Sequence, residues 1–280
     1  MQTILITGAN SGIGLATATA LAKQGNYLIL LVKTQEKADQ NNADIKKIHP
    51  DASLDFYLAD LTDLASVKSA AEKIKLKYTH IDRLINNAGY SPVGISFTKE
   101  GYEKSFAANH LGHFVLTMNL LSLLKASAES RVINVSSSAH ALGKASRLFQ
   151  KNNTKLSDMQ AYGDGKLANI LFTKGLVAHT QSTAITTYCL HPGVVNSNFG
   201  SDMSGFLKFV FMLARPFMIT TEKGAATSIY LATTAIQNIK KENGAYFKKS
   251  KPAATSNKDI TQENVNKLWT NSLIAAEGFI

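Results

Sequence analysis

Tyr162 and Lys166 stand four residues apart in the segment Tyr-Gly-Asp-Gly-Lys. In a helix this spacing places a phenol and an ammonium group on one face. A free tyrosine, with a pKa of about 10, is too weakly ionised to act as a base at neutral pH. A lysine about 4 Å away, at an effective dielectric of about 20, would favour the phenolate by roughly three pKa units, less the cost of desolvation. The pair therefore indicates acid and base chemistry.

A glycine-rich segment at residues 7–14 follows the first apolar run and leads into a helical pattern. Gly8 would permit a tight turn, Gly12 would let the backbone approach a pyrophosphate, and Gly14 would let the helix pack closely on the strand. The free N–H groups that begin the helix would bind phosphate oxygens. Three glycines alone are weak evidence, so the strand–loop–helix context carries the prediction of a dinucleotide site.

The residues after the second apolar run favour one form of the dinucleotide. NAD-binding proteins usually carry an acidic residue there, which binds the ribose 2′-hydroxyl. This chain has Lys33 and Thr34, with no carboxylate before Glu36. Lys33 would attract a 2′-phosphate, with Thr34 or Ser11 as hydroxyl partners. We expect NADP(H) to be preferred; if Lys33 is merely exposed, NAD(H) serves as well.

Alternating strands and helices must position these segments. Apolar, β-branched runs occur at residues 3–7, 27–32, 54–58, 81–86, 131–136 and 184–190. Helical patterns occur near residues 13–24, 35–48, 63–77, 99–124, 158–180, 222–237 and 261–272. This alternation requires crossover connections and a parallel sheet covered on both faces. We expect an α/β fold, a doubly wound parallel sheet (Rossmann fold) in three α/β/α layers, with ligands at the carboxyl ends of the strands.

The 280 residues include 45% hydrophobic residues and no linker-like stretch. We therefore expect one domain over residues 1–280, with a cofactor half at about 1–135 and a catalytic and substrate half at about 136–280. The single cysteine, Cys189, excludes an internal disulfide framework and suits a reducing compartment.

The net charge of +10 comes from scattered lysines, without the aromatic-interleaved basic motif of a nucleic-acid reader. We expect a solvated surface and no nucleic-acid partner, a diffuse attraction to anionic cofactor or membrane being the alternative. The most apolar stretch, residues 206–219, is shorter than the roughly 20 residues that span a bilayer, and the first strand begins almost at Met1. We expect no transmembrane segment, no signal peptide and a cytoplasmic location.

Further motifs close the later strands: Asn-Asn-Ala-Gly at residues 86–89, Asn109 in the next helix, three serines at residues 136–138, and His-Pro-Gly at residues 191–193. With the glycine loop and the Tyr–Lys pair, this ordered set resembles the short-chain dehydrogenase/reductase family, in its single-domain branch, over nearly the whole chain. Four segments are similar to the retinol dehydrogenase group of that family, at residues 108–114, 131–137, 166–172 and 191–195.

The resemblance implies an oxidoreductase that interconverts an alcohol and an aldehyde or ketone. Tyr162 would give a proton to the carbonyl oxygen in reduction or take it from the alcohol in oxidation. Ser137, preferred to Ser136, would hydrogen-bond that oxygen. Lys166 would bind the nicotinamide ribose and lower the pKa of Tyr162, and Asn109 would hold a water that links Lys166 to solvent.

The resemblance also implies contacts with the rest of the cofactor. Asp60 would meet the adenine, the turn at residues 87–89 the adenosine ribose, and Val195 with Ser197 the carboxamide. The expected cofactor-binding residues are, in full, Gly8, Asn10, Ser11, Gly12, Ile13, Gly14, Lys33, Asp60, Leu61, Asn87, Ala88, Gly89, Tyr162, Lys166, Pro192, Gly193, Val195 and Ser197. A homo-oligomer, dimer or tetramer, is implied as well.

Two features depart from the retinol dehydrogenase group. Its membrane-bound members carry a hydrophobic amino-terminal segment that is not found here, and Lys33 stands where an arginine is typical. Because lysine lacks the bidentate fork of arginine, the preference for NADP(H) would be looser. A lid is expected near residues 197–221, and its apolar part at 206–219 favours a lipophilic substrate, with membrane contact or a subunit interface as alternatives.

Other reactive residue types have simpler interpretations. His110 and His113 lack acidic or cysteine partners, so we expect helix packing and no metal. Cys189 is expected to be a buried thiol, and His140 to make a structural hydrogen bond. Two other functions stay open: a non-catalytic dinucleotide-binding sensor or scaffold, and a reductase of carbon–carbon double bonds. The physiological substrate and the direction of the reaction are not indicated.

Overall fold

The computed structural model describes residues 1–91, 94–195 and 218–280, and these contain an eight-stranded sheet in the order β3-β2-β1-β4-β5-β6-β7-β8. All neighbouring pairs are parallel except β7 and β8. The strands are β1 Thr3–Thr7, β2 Tyr27–Val32, β3 Leu54–Leu58, β4 Arg83–Asn86, β5 Ser130–Val135, β6 Ile185–His191, β7 Tyr246–Lys248 and β8 Lys251–Pro252.

Helices alternate with the strands along the chain. They are α1 Gly12–Lys23, α2 Gln35–Ile48, α3 Leu64–Lys77, α4 Lys104–Phe106, α5 Gly112–Asn119, α6 Leu121–Ala126, α7 Asp158–His179, α8 Thr221–Thr233 and α9 Gln262–Ala275. A π-helical turn at Ala107–Leu111 joins α4 to α5. Short 3₁₀ helices occur at Ser138–Leu142, Ala145–Arg147, Ile236–Asn238 and Lys240–Glu242.

Both faces of the sheet are covered, as the near-continuous apolar strands predicted. Every residue of β4, β5 and β6 is buried. On one face the sheet packs against apolar residues of α3, α5, α7 and α9, and on the other against those of α1, α2 and α8. This three-layer α/β/α arrangement around one sheet confirms the predicted doubly wound fold.

The strand order reverses between β1 and β4, so the connections after these two strands leave in opposite directions. At such a switch point an open crevice forms outside the carboxyl ends of the strands, and ligands bind there. The register pairs Ile6 of β1 with Ile85 of β4. The residues that follow them, at 7–14 and 86–89, therefore face each other across the crevice.

The helix predicted over residues 99–124 differs from what is observed. It begins at Lys104, where the carboxylate of Glu103 accepts a hydrogen bond from the Phe106 N–H at 3.0 Å. The π-helical turn then inserts one extra residue, and such single turns are frequent at functional sites. Asn109 lies inside this turn.

The hairpin of β7 and β8 was not predicted. The apolar run at residues 245–247 is too short to identify as a strand, and β8 has only two residues. Lys249 and Ser250, between the two strands, both have left-handed backbone conformations, with φ of 52° and 58°. Two-residue hairpins favour this geometry, although asparagine and glycine usually supply it.

Candidate active site

The glycine loop and the turn after β4 approach each other too closely for larger residues. Gly8 has φ of 65°, and a Cβ atom there would lie 2.9 Å from Cα of Ala88. A Cβ atom at Gly14 would overlap the carbonyl oxygen of Gly8 and lie 2.5 Å from the Asn87 amide nitrogen. Gly8 and Gly14 thus have the roles that the sequence suggested, a tight turn and close packing of helix on strand.

Thr7 fixes this approach through its hydroxyl. Thr7 Oγ1 accepts hydrogen bonds from the backbone N–H groups of Asn87 at 3.0 Å and Ala88 at 2.9 Å. In return, the Asn87 side-chain amide donates to the carbonyl oxygens of Thr7 at 2.8 Å and Gly8 at 3.3 Å. We call these four residues, Thr7, Gly8, Asn87 and Ala88, the nucleotide side of the crevice.

The first turn of α1 has no side-chain cap. Ser11 is its N-cap residue, but the Ser11 side chain accepts no hydrogen bond from the helix. In contrast, Thr34, Asp63 and Ser157 cap α2, α3 and α7 through their side chains. The N–H groups of an uncapped first turn, together with the helix dipole, suit an anionic ligand such as a phosphate.

Lys33 forms an ion pair with Asp60, with 2.8 Å between Nζ and Oδ2, and 60% and 33% of the two side chains are exposed. Asp60 also accepts hydrogen bonds from the N–H and hydroxyl of Thr62. Although partial burial raises the pKa of Asp60, the hydrogen bonds from Lys33 and Thr62 prevail and hold it below its usual value. Lys33 and Asp60, expected to bind different parts of a cofactor, therefore bind each other in the structure.

Tyr162 lies near the start of α7, beside Ser137, which follows β5. Loss of solvation raises the pKa of Tyr162 to about 12, and its hydrogen bond with Ser137 opposes this rise. Ser136 lies elsewhere: it is buried, and its hydroxyl donates to the carbonyl oxygen of Lys166 at 2.7 Å. Of the two serines, Ser137 is thus the one whose side chain is hydrogen-bonded to Tyr162.

Lys166 is buried one turn after Tyr162, with Nζ 5.5 Å from the centre of the phenol ring. Its ammonium group donates to the carbonyl oxygen of Val135 at 3.1 Å, and burial lowers the pKa of Lys166 to about 8. The two side chains share a face, as the spacing predicted. However, the expected lowering of the Tyr162 pKa by Lys166 is not seen: loss of solvation raises this pKa, and the opposing contribution comes from the hydrogen bond with Ser137.

Asn109 is fully buried in the π-helical turn. Its side-chain amide donates to the carbonyl oxygens of Tyr90 and Ser105, both at 2.8 Å, and its side-chain oxygen accepts from the Tyr90 N–H at 3.3 Å. These bonds fix the side chain between the turn after β4 and the start of the helix. The Asn109 main-chain carbonyl is bonded separately, by His113 Nδ1 at 3.0 Å.

The loop after β6 continues the same edge of the sheet. His191 Nδ1 accepts from the Ser138 N–H at 3.2 Å, and Gly193 has φ of 99°. A Cβ atom at Gly193 would lie 2.7 Å from Cδ1 of Ile219, and Val195 forms a bridge with the same isoleucine. The expected carboxamide contact Ser197, and most of the expected lid at residues 197–221, lie outside the described residues.

The β5–α7 loop, residues 136–157, is held against α7 by a buried ion pair. Arg147 donates to both carboxylate oxygens of Asp164, at 2.6 Å from Nη2 and 2.8 Å from Nε, and 14% and 4% of the two side chains are exposed. Phe149 and Asn152 have left-handed backbone conformations, with φ of 67° and 52°. Asp164 stands between Tyr162 and Lys166, so this loop is attached to the helix that carries both.

A second segment, residues 253–260, completes the support of this loop. The Asp259 carboxylate accepts from the Ala145 N–H at 2.7 Å. The Asn257 side chain donates to the carbonyl oxygens of His140 and Gly143, at 2.6 Å and 2.8 Å. Nothing in the sequence pattern indicated these contacts, because they join two irregular segments more than 100 residues apart.

Most of the expected site residues meet at this edge. The structure places Gly8, Gly14, Asn87 and Ala88 together on the nucleotide side, and Ser137, Tyr162 and Lys166 together at the start of α7. Asn10, Ser11, Gly12, Ile13, Leu61, Gly89, Pro192, Gly193 and Val195 belong to the connections that follow β1, β3, β4 and β6. His113 contacts Thr7 and Asn109, which the sequence analysis did not predict. Its spacing of four from Asn109 was the available signal, because it places both residues on one helical face.

The other reactive residues have structural partners. His110 Nε2 lies 2.8 Å from the Ser272 hydroxyl, and burial lowers the pKa of His110 to about 3. His140 Nδ1 lies 2.7 Å from the Ser137 carbonyl oxygen, and Cys189 is a buried free thiol. In the part of the chain that the structure describes, no group of three or more His, Cys, Asp or Glu side chains could hold a metal ion.

Within the same described ranges, none of the helices has both the length and the apolar character needed to cross a membrane.

Comparison with known proteins gives matches over most of the chain. A family model described as short chain dehydrogenase matches residues 2–205. Retinol dehydrogenase 12 of Mus musculus is 35% identical over 271 residues, which cover 97% of this chain and 85% of the mouse protein. Retinol dehydrogenase 11 of the same species is 34% identical over 265 residues, covering 95% and 83% of the two chains.

Solved structures share the fold. A protein of Mycobacterium paratuberculosis, 28% identical, superposes with a TM-score of 0.78 and covers 99% of this chain and 94% of its own. The NADPH-bound carbonyl reductase from chicken fatty liver, 22% identical, superposes with a TM-score of 0.68 over 91% of this chain and 99% of its own. The second likeness supports the fold alone.

Proposed function

This chain belongs to the short-chain dehydrogenase family, in its retinol dehydrogenase-like group, and we propose that it is an NADP(H)-dependent enzyme for lipophilic substrates with Tyr162 as general acid and base. As a family member it is an oxidoreductase that acts on alcohol and carbonyl groups. The cofactor preference, the substrate class and the roles of single residues are the proposed part.

One observation carries the proposal: Ser137 and Tyr162 share a hydrogen bond at the carboxyl edge of the sheet, with the buried Lys166 one turn further along α7. With a pKa of about 12, the Tyr162 phenol is protonated at neutral pH. It can therefore give a proton to a carbonyl oxygen that Ser137 hydrogen-bonds, which is the state that reduction needs. In the alcohol-to-carbonyl direction, Tyr162 must first lose its proton.

The residues of the crevice fit a dinucleotide. The contacts of Gly8 and Gly14 leave no room for a Cβ atom, and α1 begins without a side-chain cap. The three residues after Val32 at the end of β2 include no acidic residue. Lys33 would hold a 2′-phosphate by leaving Asp60 for it, and Lys166 would hold the nicotinamide ribose. When bound, the nicotinamide supplies the hydride.

Exposed apolar side chains in the loops that follow β5 and β6 support a lipophilic substrate. Leu142, at the end of the 3₁₀ helix that follows Ser137, is 51% exposed, and Val194, in the loop after β6, is 49% exposed. Binding of an apolar substrate would remove both from water. The name of the retinol dehydrogenase relatives agrees with this substrate class.

The proposal is tested with Tyr162→Phe, assayed with NADPH on medium-chain and aromatic aldehydes. We expect kcat to fall at least about 100-fold, because the proton donor is lost, while NADPH binding is retained. Tyr188→Phe is the matched control, since the Tyr188 hydroxyl is bonded to the Ile239 carbonyl in the core. Turnover of Tyr162→Phe within threefold of the wild type would contradict the role of Tyr162.

The same assays address the alternatives. Tight NADPH binding by the wild type without turnover of any carbonyl would favour the sensor or scaffold function. Reduction of an activated carbon–carbon double bond, with no carbonyl turnover, would favour the other alternative. The cytoplasmic location, the homo-oligomer and the division into halves at about residue 135 remain predictions.

A further inference from the structure

His113 connects the nucleotide side of the crevice with Asn109. It is the second residue of α5, and 1% of it is exposed. Its Nε2 lies 2.9 Å from the Thr7 hydroxyl, and its Nδ1 lies 3.0 Å from the main-chain carbonyl oxygen of Asn109. One partner holds the nucleotide side together, and the other belongs to the candidate catalytic residues.

The bonds of Thr7 determine which His113 nitrogen carries the proton. A hydroxyl group has one hydrogen to donate and two lone pairs to accept with. Thr7 Oγ1 accepts from the N–H groups of Asn87 and Ala88, so both lone pairs are used. Its hydrogen must therefore point to His113 Nε2, which has to be unprotonated. The proton of a neutral imidazole is then on Nδ1, from which it donates to the Asn109 carbonyl oxygen.

The surroundings of His113 agree with a neutral ring. Burial lowers the pKa of His113 to about 4, the bond to Asn109 opposes this, and the nearby charge of Lys166 lowers it further. Near neutral pH the imidazole therefore keeps one donor and one acceptor, and both are used. Protonation of Nε2 would set two donors against each other at Thr7.

We propose that His113 is a positioning residue, which aligns the Asn109 carbonyl group with the nucleotide side through one hydrogen bond accepted from Thr7 and one donated to Asn109. The inference rests on the proposed function of Asn109, Tyr162 and NADP(H). It assigns the two ring nitrogens different effects. The Nε2 contact supports the Asn87–Ala88 turn and thereby cofactor affinity. The Nδ1 contact orients the Asn109 carbonyl, and thereby supports the water through which Asn109 would link Lys166 to solvent for proton transfer.

Two substitutions separate these effects. In His113→Asn the side-chain amide stands near the place of Nδ1, so the donor to Asn109 is kept and the acceptor for Thr7 is lost. In His113→Gln the side-chain oxygen stands near the place of Nε2, so the Thr7 contact is kept and the Asn109 contact is lost. His179 supplies the control, since its Nδ1 makes the same kind of bond to a helix carbonyl, that of Gly175 at 2.8 Å.

The measurements are the Kd for NADPH by fluorescence titration and kcat at saturating NADPH. For His113→Asn we expect Kd to rise about tenfold, as for one lost buried hydrogen bond, with kcat kept within twofold. For His113→Gln we expect kcat to fall about tenfold with Kd kept. The two His179 variants should change neither quantity. Equal changes in both His113 variants, or lower stability with unchanged Kd and kcat, would overturn the proposal.

A spectroscopic measurement on the wild type needs neither turnover nor a folded variant. The ¹⁵N NMR shifts of the His113 ring report which nitrogen is protonated, and we expect a neutral ring with the proton on Nδ1 at pH 7. A proton on Nε2, or a charged ring, would overturn the proposal. If Tyr162→Phe keeps full activity, the proposed function fails, while the NMR result and the NADPH affinities still decide the case of His113.

Discussion

The nucleotide side and the β5–α7 loop lie along the same edge of the sheet, but they are stabilised by different contacts. On the nucleotide side, neutral hydrogen bonds among Thr7, Asn87 and Ala88 join residues at the ends of adjacent strands. The β5–α7 loop instead depends on the charged pair of Arg147 and Asp164, together with contacts to residues 253–260. The first arrangement follows from the order of the strands, and the second does not.

The two kinds of contact also differ in the free energy that is lost when one of them is removed. Each neutral hydrogen bond contributes only about 0.5–1.5 kcal/mol, so the nucleotide side depends on several weak contacts. A buried ion pair adds little net stability when intact, yet loss of one partner costs several kcal/mol, since a charge stays buried without a counter-ion. We therefore expect one substitution in the ion pair to lower the stability of the β5–α7 loop strongly. Each substitution on the nucleotide side should lower stability only slightly.

The largest effect is expected for Asp164→Ala. Removal of the carboxylate leaves the Arg147 guanidinium largely buried and unpaired, which should lower the free energy of unfolding by about 3–5 kcal/mol. Urea unfolding checks this value. Lys267→Ala is the control, because Lys267 and Glu263 form an exposed pair on one face of α9 and should contribute no measurable stability. Equal effects of the two substitutions would remove the contrast between the regions.

The next largest effect is expected at low pH, which should destabilise the protein through His110 and His113. Burial lowers the pKa of His110 to about 3 and that of His113 to about 4, whereas in the unfolded chain both lie near 6.5. Below pH 6.5 the unfolded state binds more protons, so stability is lost as pH falls towards 4. At pH 5 the loss should be about 2 kcal/mol for each histidine. Urea unfolding at pH 7.5 and 5 measures it. Burial lowers the pKa of His191 to about 4 as well, so His113→Asn should remove about a third of the difference.

The smallest effect is expected at the exposed pair of Lys33 and Asp60. Lys33→Ala should change stability by less than about 1 kcal/mol, since Lys33 is exposed and the partly buried Asp60 keeps its hydrogen bonds from Thr62. It should nevertheless weaken NADPH binding by about three- to tenfold and leave NADH binding unchanged, because only NADPH carries the 2′-phosphate. Competition binding with both cofactors tests this. Equal losses of affinity for the two cofactors would show that Lys33 does not bind the 2′-phosphate.

The nucleotide side could be predicted from the sequence because its signals are local. The bounds of β1, β2 and β3 match the apolar runs. Gly8 and Asn87 stand directly after strands that the sheet order brings together, and Gly14 lies in the first turn of the helix that follows β1. The Tyr162–Lys166 spacing predicted a shared face in the same way, since a helix fixes the direction of its own side chains.

The other contacts had no such signal. The π-helical turn around Asn109 depends on one inserted residue, which leaves the 3.6-residue pattern almost unchanged. The Arg147–Asp164 pair joins an irregular loop to a helix, and no periodicity indicates which carboxylate an arginine in a loop will meet. The ion pair of Lys33 with Asp60 and the raised pKa of Tyr162 depend on solvation and on distances that only the folded chain sets.

The packing of α9 has a consequence for how the protein is made. The Trp269 ring stacks on His179 with 3.8 Å between ring centres and lies against Phe172 of α7 and Phe114 of α5. Residues 262–275 thus complete the layer that covers the helix bearing Tyr162. During translation, this aromatic surface stays open to water and to other chains until residue 269 has left the ribosome. The helix that carries Tyr162 is therefore among the last elements to reach its final environment.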